Sequence, residues 1–144
     1  MKTFILRSYD GFPLSVAWFP VENPRACVQL IHGALEHKER YYPFIRVLND
    51  NGYAAIIADN RGHGHSVTKA YPLGYMNGVA ETMRDQETLT AFLKEQFPLV
   101  KRVLFGHSLG SCFARCYLQE HDADFAGLIL SGTANYVPEV PVGT

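Results

Sequence analysis

Short, almost uninterrupted apolar runs alternate with longer amphipathic segments along this sequence, and this alternation strongly limits the possible folds. The apolar runs lie at residues 26–31, 53–58, 102–105 and 125–130. A strand that is exposed on one face alternates apolar and polar residues, whereas near-continuous apolar runs are typical of strands buried on both faces. The pattern therefore predicts an α/β domain with a parallel sheet covered by helices on both faces.

The remaining segments complete the predicted order of elements. Residues 3–9 and 14–20 are expected to form a strand hairpin around Asp10-Gly11, which is a common turn signal. Helices are expected near residues 41–48, 76–97 and 109–120. With 144 residues, the chain is long enough for one domain and too short for two.

Charge and cysteine content exclude several classes of partner and location. The 13 basic and 14 acidic residues are mixed along the chain and leave a net charge of -1, so no nucleic-acid partner is expected. We expect neither stable membrane insertion nor a signal peptide, because the apolar runs are too short for either. Cys112 and Cys116 lie four residues apart on a predicted helix, where packing is favoured over a disulfide, and this favours a reducing, cytoplasmic location.

A G-x-S-x-G motif occupies residues 106–110, between a predicted strand and a predicted helix. Such a motif forms a nucleophile elbow, a strained turn that raises the serine hydroxyl above the sheet. Gly106 and Gly110 leave space where side chains would collide with this turn. Ser108 would begin the helix, so the Leu109 N–H and the helix dipole would face a developing oxyanion. Ser108 is therefore predicted to be a catalytic nucleophile; the alternative is a glycine-rich loop with an incidental serine.

Three segments together resemble the α/β-hydrolase superfamily, and most closely its monoacylglycerol lipase and lysophospholipase branch, which is serine aminopeptidase S33-like. Residues 32–37 (HGALEH) resemble the H-G-x-x-E-H oxyanion loop of that branch. Residues 59–66 (DNRGHGHS) resemble its D-x-R-G-H-G-x-S loop, and residues 106–110 (GHSLG) resemble its G-H-S-[ML]-G elbow. The resemblance implies the N-terminal half of an α/β-hydrolase fold, with residues 1–144 forming part of the core domain, residues 136–144 starting the lid insertion, and the last strands absent.

The resemblance also implies a role for each site residue. The N–H groups of Ala34 and Leu109 would form the oxyanion hole around an intermediate on Ser108. Residues that would support the site structurally, as loop braces or elbow neighbours, are His32, Gly33, Gly106, His107 and Gly110. Leu35 stands where many relatives carry glycine and is expected to narrow the pocket wall. His37 and His121 are expected to lie on the surface.

The base that would activate the serine is not evident in this chain. In this fold the triad follows the order serine, acid, histidine, and after Ser108 the chain offers only His121, Asp122, Asp124 and Glu139. His121 would lie near the far end of the helix that Ser108 begins, roughly 18–20 Å away at 1.5 Å per residue. The chain is therefore expected to carry the nucleophile and the oxyanion hole without the acid and histidine of the triad.

The leading hypothesis is a serine hydrolase that cleaves carboxylic esters, such as monoacyl lipids, through an acyl-enzyme on Ser108. The alternatives are another activity on the same fold, such as a peptidase or thioesterase, and a non-catalytic truncated module. No cofactor is expected. A metal site at His63 and His65 is disfavoured because no carboxylate or cysteine completes a recognisable ligand spacing. The chain alone is expected to be inactive and to self-associate through the exposed edge of strand 125–130.

Overall fold

The computed structural model describes residues 1–133 and places the elements in the order that the sequence predicts. The strands are β1 (Lys2–Arg7), β2 (Pro13–Phe19), β3 (Ala26–Ile31), β4 (Tyr53–Ala58), β5 (Arg102–His107) and β6 (Gly127–Ser131). The helices are α1 (Tyr42–Asp50), α2 (Val79–Gln96) and α3 (Leu109–His121), with short 3₁₀ turns at Lys38–Tyr41 and Asp122–Asp124. The expected lid segment at 136–144 falls outside the described residues.

The described strands form one mixed sheet in the order β1-β2-β4-β3-β5-β6. Strands β1 and β2 pair antiparallel, and β2 pairs antiparallel with β4. The other neighbours, β4 with β3, β3 with β5, and β5 with β6, are all parallel. The expected hairpin followed by a parallel sheet is therefore confirmed, and the carboxyl ends of the parallel strands meet at one edge, where sites of this architecture form.

Helices cover both faces of the sheet, as expected. On one face, Ile45 of α1 packs against Leu30 of β3 and Ile57 of β4. On the other face, Leu89 of α2 packs with Ile56 of β4. Helix α3 joins α2 on that second face through a cluster that contains Ile31, Leu104, Phe113, Ala114 and Tyr117. Burial of these side chains on both faces accounts for the uninterrupted apolar runs.

A buried polar network explains the one polar residue in the apolar run of β3. The side-chain amide of Gln29 donates to Gln86 Oε1 of α2 at 2.8 Å, and the hydroxyl of Thr90 donates to Gln29 Oε1 at 2.8 Å. The Thr90 hydroxyl also lies 2.8 Å from the hydroxyl of Tyr117 in α3. The network ties both helices to β3, and its members satisfy one another, as buried polar groups must.

Several boundaries differ from the sequence expectation. Strand β5 continues two residues beyond the predicted 102–105, because Gly106 and His107 pair with the end of β6. Strand β6 begins at Gly127 instead of residue 125, since Phe125 still belongs to the preceding turn, where its N–H donates to Asp122 O. Helix α2 begins at Val79 instead of residue 76, after Gly78 with a φ of +89°. At the opposite edge of the sheet, β1 ends at Arg7 instead of residue 9, because Ser8 already belongs to the hairpin turn.

Strand β6 lies at one edge of the described sheet and leaves apolar side chains exposed. Leu128 is 38% exposed and Ile129 is 47% exposed. The two residues face opposite sides of the sheet, as do their pairing partners Leu104 and Phe105.

None of the helices within residues 1–133 has the length and apolar character that a membrane span requires.

Candidate active site

The turn between β5 and α3 has the geometry of a nucleophile elbow. Ser108 has a φ of +54° and a ψ of −121°, which is a strained conformation for a residue with a side chain. A Cβ on Gly106 would lie 2.3 Å from the carbonyl oxygen of Gly110, and a Cβ on Gly110 would lie 2.1 Å from Ile31 O. The close approach of β3, β5 and α3 therefore requires glycine at both positions. Ser108 itself is exposed to solvent.

Backbone and side-chain bonds hold the strained serine in place. The N–H of Ser108 donates to Ser131 O at 2.9 Å. Its carbonyl accepts from the N–H of Ser111 at 2.9 Å and from the hydroxyl of Ser111, which is fully buried. Ser111 was not predicted as a site residue, although a serine near the start of a helix commonly hydrogen-bonds to the backbone three residues earlier.

The loop after β3 packs directly against this elbow. A Cβ on Gly33 would lie 3.2 Å from both His107 O and Ser108 Cβ. His32, fully buried, accepts a hydrogen bond at Nε2 from the N–H of Asn60 at 2.9 Å. Its other nitrogen, Nδ1, then carries the proton and donates to Gly33 O at 2.7 Å. Burial lowers the pKa of His32, which keeps the ring neutral and able to make both bonds.

The bond from His32 sets the direction of the Ala34 N–H. A trans peptide is planar, so its C=O and N–H point in opposite directions. Since His32 Nδ1 holds the carbonyl of Gly33, the N–H of Ala34 in the same peptide must point away from His32. Within residues 1–133 neither the Ala34 N–H nor the Leu109 N–H has a hydrogen-bond acceptor. Two free donors thus lie on the backbone segments that flank Ser108, and Leu109 also begins a helix, whose dipole favours an anion.

His107, which precedes Ser108 in the elbow, connects the elbow to β6 and to the turn before α1. His107 Nδ1 lies 3.0 Å from the hydroxyl of Ser131, and its ring contacts Tyr41 edge-on. An open cavity of about 400 Å³ lies beside it, lined by Glu36, Arg40, Tyr41, Phe44, Phe105, His107 and Ser131. Its aromatic lining can accept an apolar group next to the elbow.

Leu35 is not among the residues that line the cavity beside the elbow, so its place in a pocket wall stays a prediction. Its side chain is 83% exposed, and its φ of +56° lies in the left-handed region that favours glycine. A Cβ on Gly74 would lie 3.8 Å from Leu35 Cδ2. A glycine at this position would therefore fit the backbone conformation better than leucine does.

The loop after β4 is anchored by a buried ion pair. Lys38 Nζ donates to Asp59 Oδ2 at 2.9 Å, and the Lys38 N–H donates to Asp59 Oδ1 at 2.7 Å. The N–H of His65 donates to Asp59 Oδ2 as well, at 2.9 Å. Both Lys38 and Asp59 are almost fully buried. The pair fixes the loop from which Asn60 reaches His32.

The same loop corrects one detail of the metal analysis. Carboxylates do approach His65, because ligand atoms of Glu39, Asp59 and His65 lie within 4.8 Å of one another. However, Lys38 Nζ lies 2.9 Å from oxygens of both Glu39 and Asp59. The Lys38 ammonium already pairs with both carboxylates, so the chemistry of the cluster fits an ion-pair network better than a cation site.

A second charged cluster ties the loop to the hairpin and to α2. Arg61 is only 4% exposed; it donates to both carboxylate oxygens of Asp10 and to both of Asp85, at 2.7–2.8 Å. Its guanidinium also lies over the ring of Phe12, 4.4 Å from the centroid. Burial raises the pKa of Asp85 despite the bonds from Arg61, whereas the bond from Arg61 lowers the pKa of the more exposed Asp10. The sequence analysis identified Arg61 only as part of a motif and missed these partners.

The described residues do not supply a base for Ser108. Within residues 1–133 no side chain hydrogen-bonds the hydroxyl of Ser108. His121 closes the far end of α3; its ring stacks on Tyr117 with centroids 4.1 Å apart and approaches Glu87. Its side chain is 20% exposed there, so it lies at the surface as expected but partly covered, and the whole helix separates it from Ser108, as the sequence predicts.

Comparisons with known proteins agree on one family. The family model described as "Serine aminopeptidase, S33" matches residues 22–142. A monoacylglycerol lipase of Mycolicibacterium smegmatis is 30% identical over 117 residues, which are 81% of this chain and 41% of that protein. The monoglyceride lipase of Homo sapiens is 28% identical over 78% of this chain and 36% of its own length.

Solved structures show the same fold. A thermostable carboxyl esterase from Bacillus coagulans superimposes with a TM-score of 0.84 and 31% identity, over 95% of this chain and 46% of that one. The architecture is thus that of a partial α/β-hydrolase fold, as the resemblance implied. The chain spans less than half the length of each of these relatives.

Proposed function

Because the chain belongs to the serine aminopeptidase S33 family, we propose that it is the nucleophile-bearing part of a serine hydrolase that cleaves carboxylic esters. One observation carries the proposal: the strained, exposed Ser108 packs against the loop at Gly33, and the N–H groups of Ala34 in that loop and of Leu109 after the serine have no acceptor within residues 1–133. A nucleophile with free donors on either side is the arrangement that acyl transfer requires.

In the proposed reaction, the hydroxyl of Ser108 attacks the ester carbonyl and the N–H groups of Ala34 and Leu109 bind the resulting oxyanion. The alcohol then leaves, and water hydrolyses the acyl-enzyme to release the acid and restore the serine. A histidine oriented by a carboxylate takes the serine proton and passes it to the leaving alcohol. We place that histidine and that carboxylate outside the described residues. No cofactor takes part in this reaction.

The proposed substrates are monoacyl lipids or similar small esters. Relatives described as monoacylglycerol and monoglyceride lipases support this choice, as does the aromatic lining of Phe44 and Phe105 beside the elbow. The family description, which names an aminopeptidase, supports a second candidate, cleavage of amides. The hydroxyl of Ser108, which has no hydrogen-bond partner within residues 1–133, supports a third, a non-catalytic module.

A substrate panel separates these candidates. We expect the complete protein to hydrolyse acylglycerols and lysophospholipids with medium or long chains faster than amino-acid amides, because the cavity beside the elbow is aromatic. The measurement is kcat/KM across the panel, with S108A as the control for background hydrolysis. A preference for the amides would move the protein to the peptidase candidate, and no Ser108-dependent turnover on any member would favour the module.

We also propose a cytoplasmic location and self-association of the chain when it is produced alone. The location is supported by the thiols of Cys27, Cys112 and Cys116, all of which are free. The self-association is supported by the exposed apolar edge at Leu128 and Ile129.

A further inference from the structure

We propose that Glu36 is a positioning residue of the oxyanion hole, which it orients by holding the backbone of Gly33. The inference deepens the proposed function and rests on it. Glu36 Oε1 accepts the N–H of Gly33 at 2.7 Å and the hydroxyl of Tyr41 at 2.8 Å. Its other oxygen, Oε2, lies 3.1 Å from Arg40 Nε. With a side chain only 10% exposed, the carboxylate is enclosed by these donors.

Hydrogen bonds fix the two peptide groups that link His32, Gly33 and Ala34. In the peptide between His32 and Gly33, Glu36 holds the N–H, and Asn60 Nδ2 donates to the carbonyl at 3.3 Å. In the next peptide, His32 holds the carbonyl of Gly33. Glycine has no side chain to restrict its backbone, so these external bonds determine its direction. Ala34 is then the first residue of the loop whose N–H is free to bind an oxyanion.

Removal of the carboxylate changes this arrangement in two ways. The N–H of Gly33 loses its acceptor, so the peptide between His32 and Gly33 is no longer held at its N–H, and this peptide lies against Ser108, whose Cβ is 3.2 Å from the Cβ position of Gly33. The segment from Gly33 to Glu36 also loses its closing bond, although it contains Leu35 in a left-handed conformation that costs energy. Both changes displace the Ala34 N–H from the position that it occupies in the closed loop.

The charge of Glu36 is compatible with a nearby oxyanion only because it is neutralised locally. Burial by itself would raise the pKa of Glu36, but the hydrogen bonds from Tyr41 and Gly33 hold the pKa below its usual value. The carboxylate is therefore ionised at neutral pH and accepts strong, charge-assisted bonds. Arg40 supplies the opposite charge.

The test compares Glu36→Ala and Glu36→Gln in the complete protein. The alanine variant loses every acceptor, and we expect kcat to fall about 100-fold with KM nearly unchanged, since a displacement of about 1 Å at a reacting centre costs that much. Glutamine retains an acceptor oxygen for Gly33 and Tyr41, so we expect Glu36→Gln to be at least about tenfold faster than Glu36→Ala. Glu95→Gln, which alters an exposed carboxylate on α2 outside these hydrogen-bond networks, is the control and should keep the parental kcat.

Active sites are counted by titration with a fluorophosphonate, so that kcat refers to folded molecules only. A parental kcat in Glu36→Ala would overturn the inference, and so would a Glu36→Gln variant as slow as Glu36→Ala. If Glu36→Ala does not fold, Tyr41→Phe removes one donor to the carboxylate and keeps the ring; an unchanged kcat and KM there would equally overturn it. Failure of the proposed function looks different, because the parental protein itself would then have no Ser108-dependent activity.

Discussion

Replacing Gly110 with alanine is expected to lower the kcat/KM of the complete protein by at least about 100-fold and to destabilise the fold by about 2 kcal/mol or more. The added Cβ would lie 2.1 Å from Ile31 O and 2.7 Å from His32 O, both backbone atoms that cannot rotate away. Gly110 has no positive φ, and alanine favours helices, so the whole effect is steric. Overpacking of this kind costs about 1–3 kcal/mol even where side chains can adjust.

The loss of activity follows from the backbone shift that the added Cβ would force. Either α3 shifts and carries the Leu109 N–H with it, or the end of β3 shifts and carries the loop that holds Ala34. Each shift separates Ser108 from one of its two donors, and removal of one oxyanion donor typically costs about 10²–10³ in rate.

The measurements are steady-state hydrolysis of an acylglycerol and thermal unfolding. Gly127→Ala is the matched control, because a Cβ at that position would meet only Val103 Cγ2 at an ordinary 3.9 Å. It should leave both rate and melting temperature close to the parental values. A Gly110→Ala protein that behaves like Gly127→Ala would contradict the elbow geometry.

Residues 1–144 produced alone are expected to show no ester hydrolysis above an S108A control. The hydroxyl of Ser108 has no hydrogen-bond partner within residues 1–133, and a serine without a base is a weak nucleophile at neutral pH. The oxyanion hole and binding alone give only about 10³–10⁴-fold acceleration over water, far below ordinary enzyme rates. A nitrophenyl ester assay tests this directly. Ser108-dependent turnover at ordinary rates would mean that this chain supplies its own base.

The same sample is expected to elute larger than a monomer in size-exclusion chromatography. Strand β6 exposes Ile129 at the edge of the described sheet, and an apolar edge pairs readily with another chain. Ile129→Lys places a charge on that edge and should shift the protein toward the monomer. A monodisperse parental monomer would contradict the proposed self-association.

The sequence was sufficient to predict the fold because the relevant signals are local. The apolar runs at 26–31 and 53–58 became strands with those same bounds, since burial on both faces favours apolar residues along them. The one polar residue in these runs, Gln29, is buried because Gln86 and Thr90 satisfy its side chain. The elbow was equally predictable, because strand, turn and helix are contiguous around Ser108. The order of elements then placed the loop that contains Ala34 at the same edge of the sheet.

Contacts between distant residues were not predictable in the same way. Arg61 meets Asp85, 24 residues later, and Asp10, 51 residues earlier. Nothing local in the sequence identifies these partners. The stacking of the His121 ring on Tyr117, one turn earlier in α3, also depends on tertiary packing that the local sequence does not show. The left-handed conformation of Leu35 is a further case, since leucine does not signal a positive φ as glycine does.

The most direct test of the central claim is the site of reaction with a fluorophosphonate probe. The complete protein, treated with the probe and digested, should carry a single adduct, which mass spectrometry should place on Ser108. Native protein should react and denatured protein should not, because reactivity depends on the folded elbow. An adduct on another serine, or labelling that persists in S108A, would contradict the assignment of Ser108 as the nucleophile.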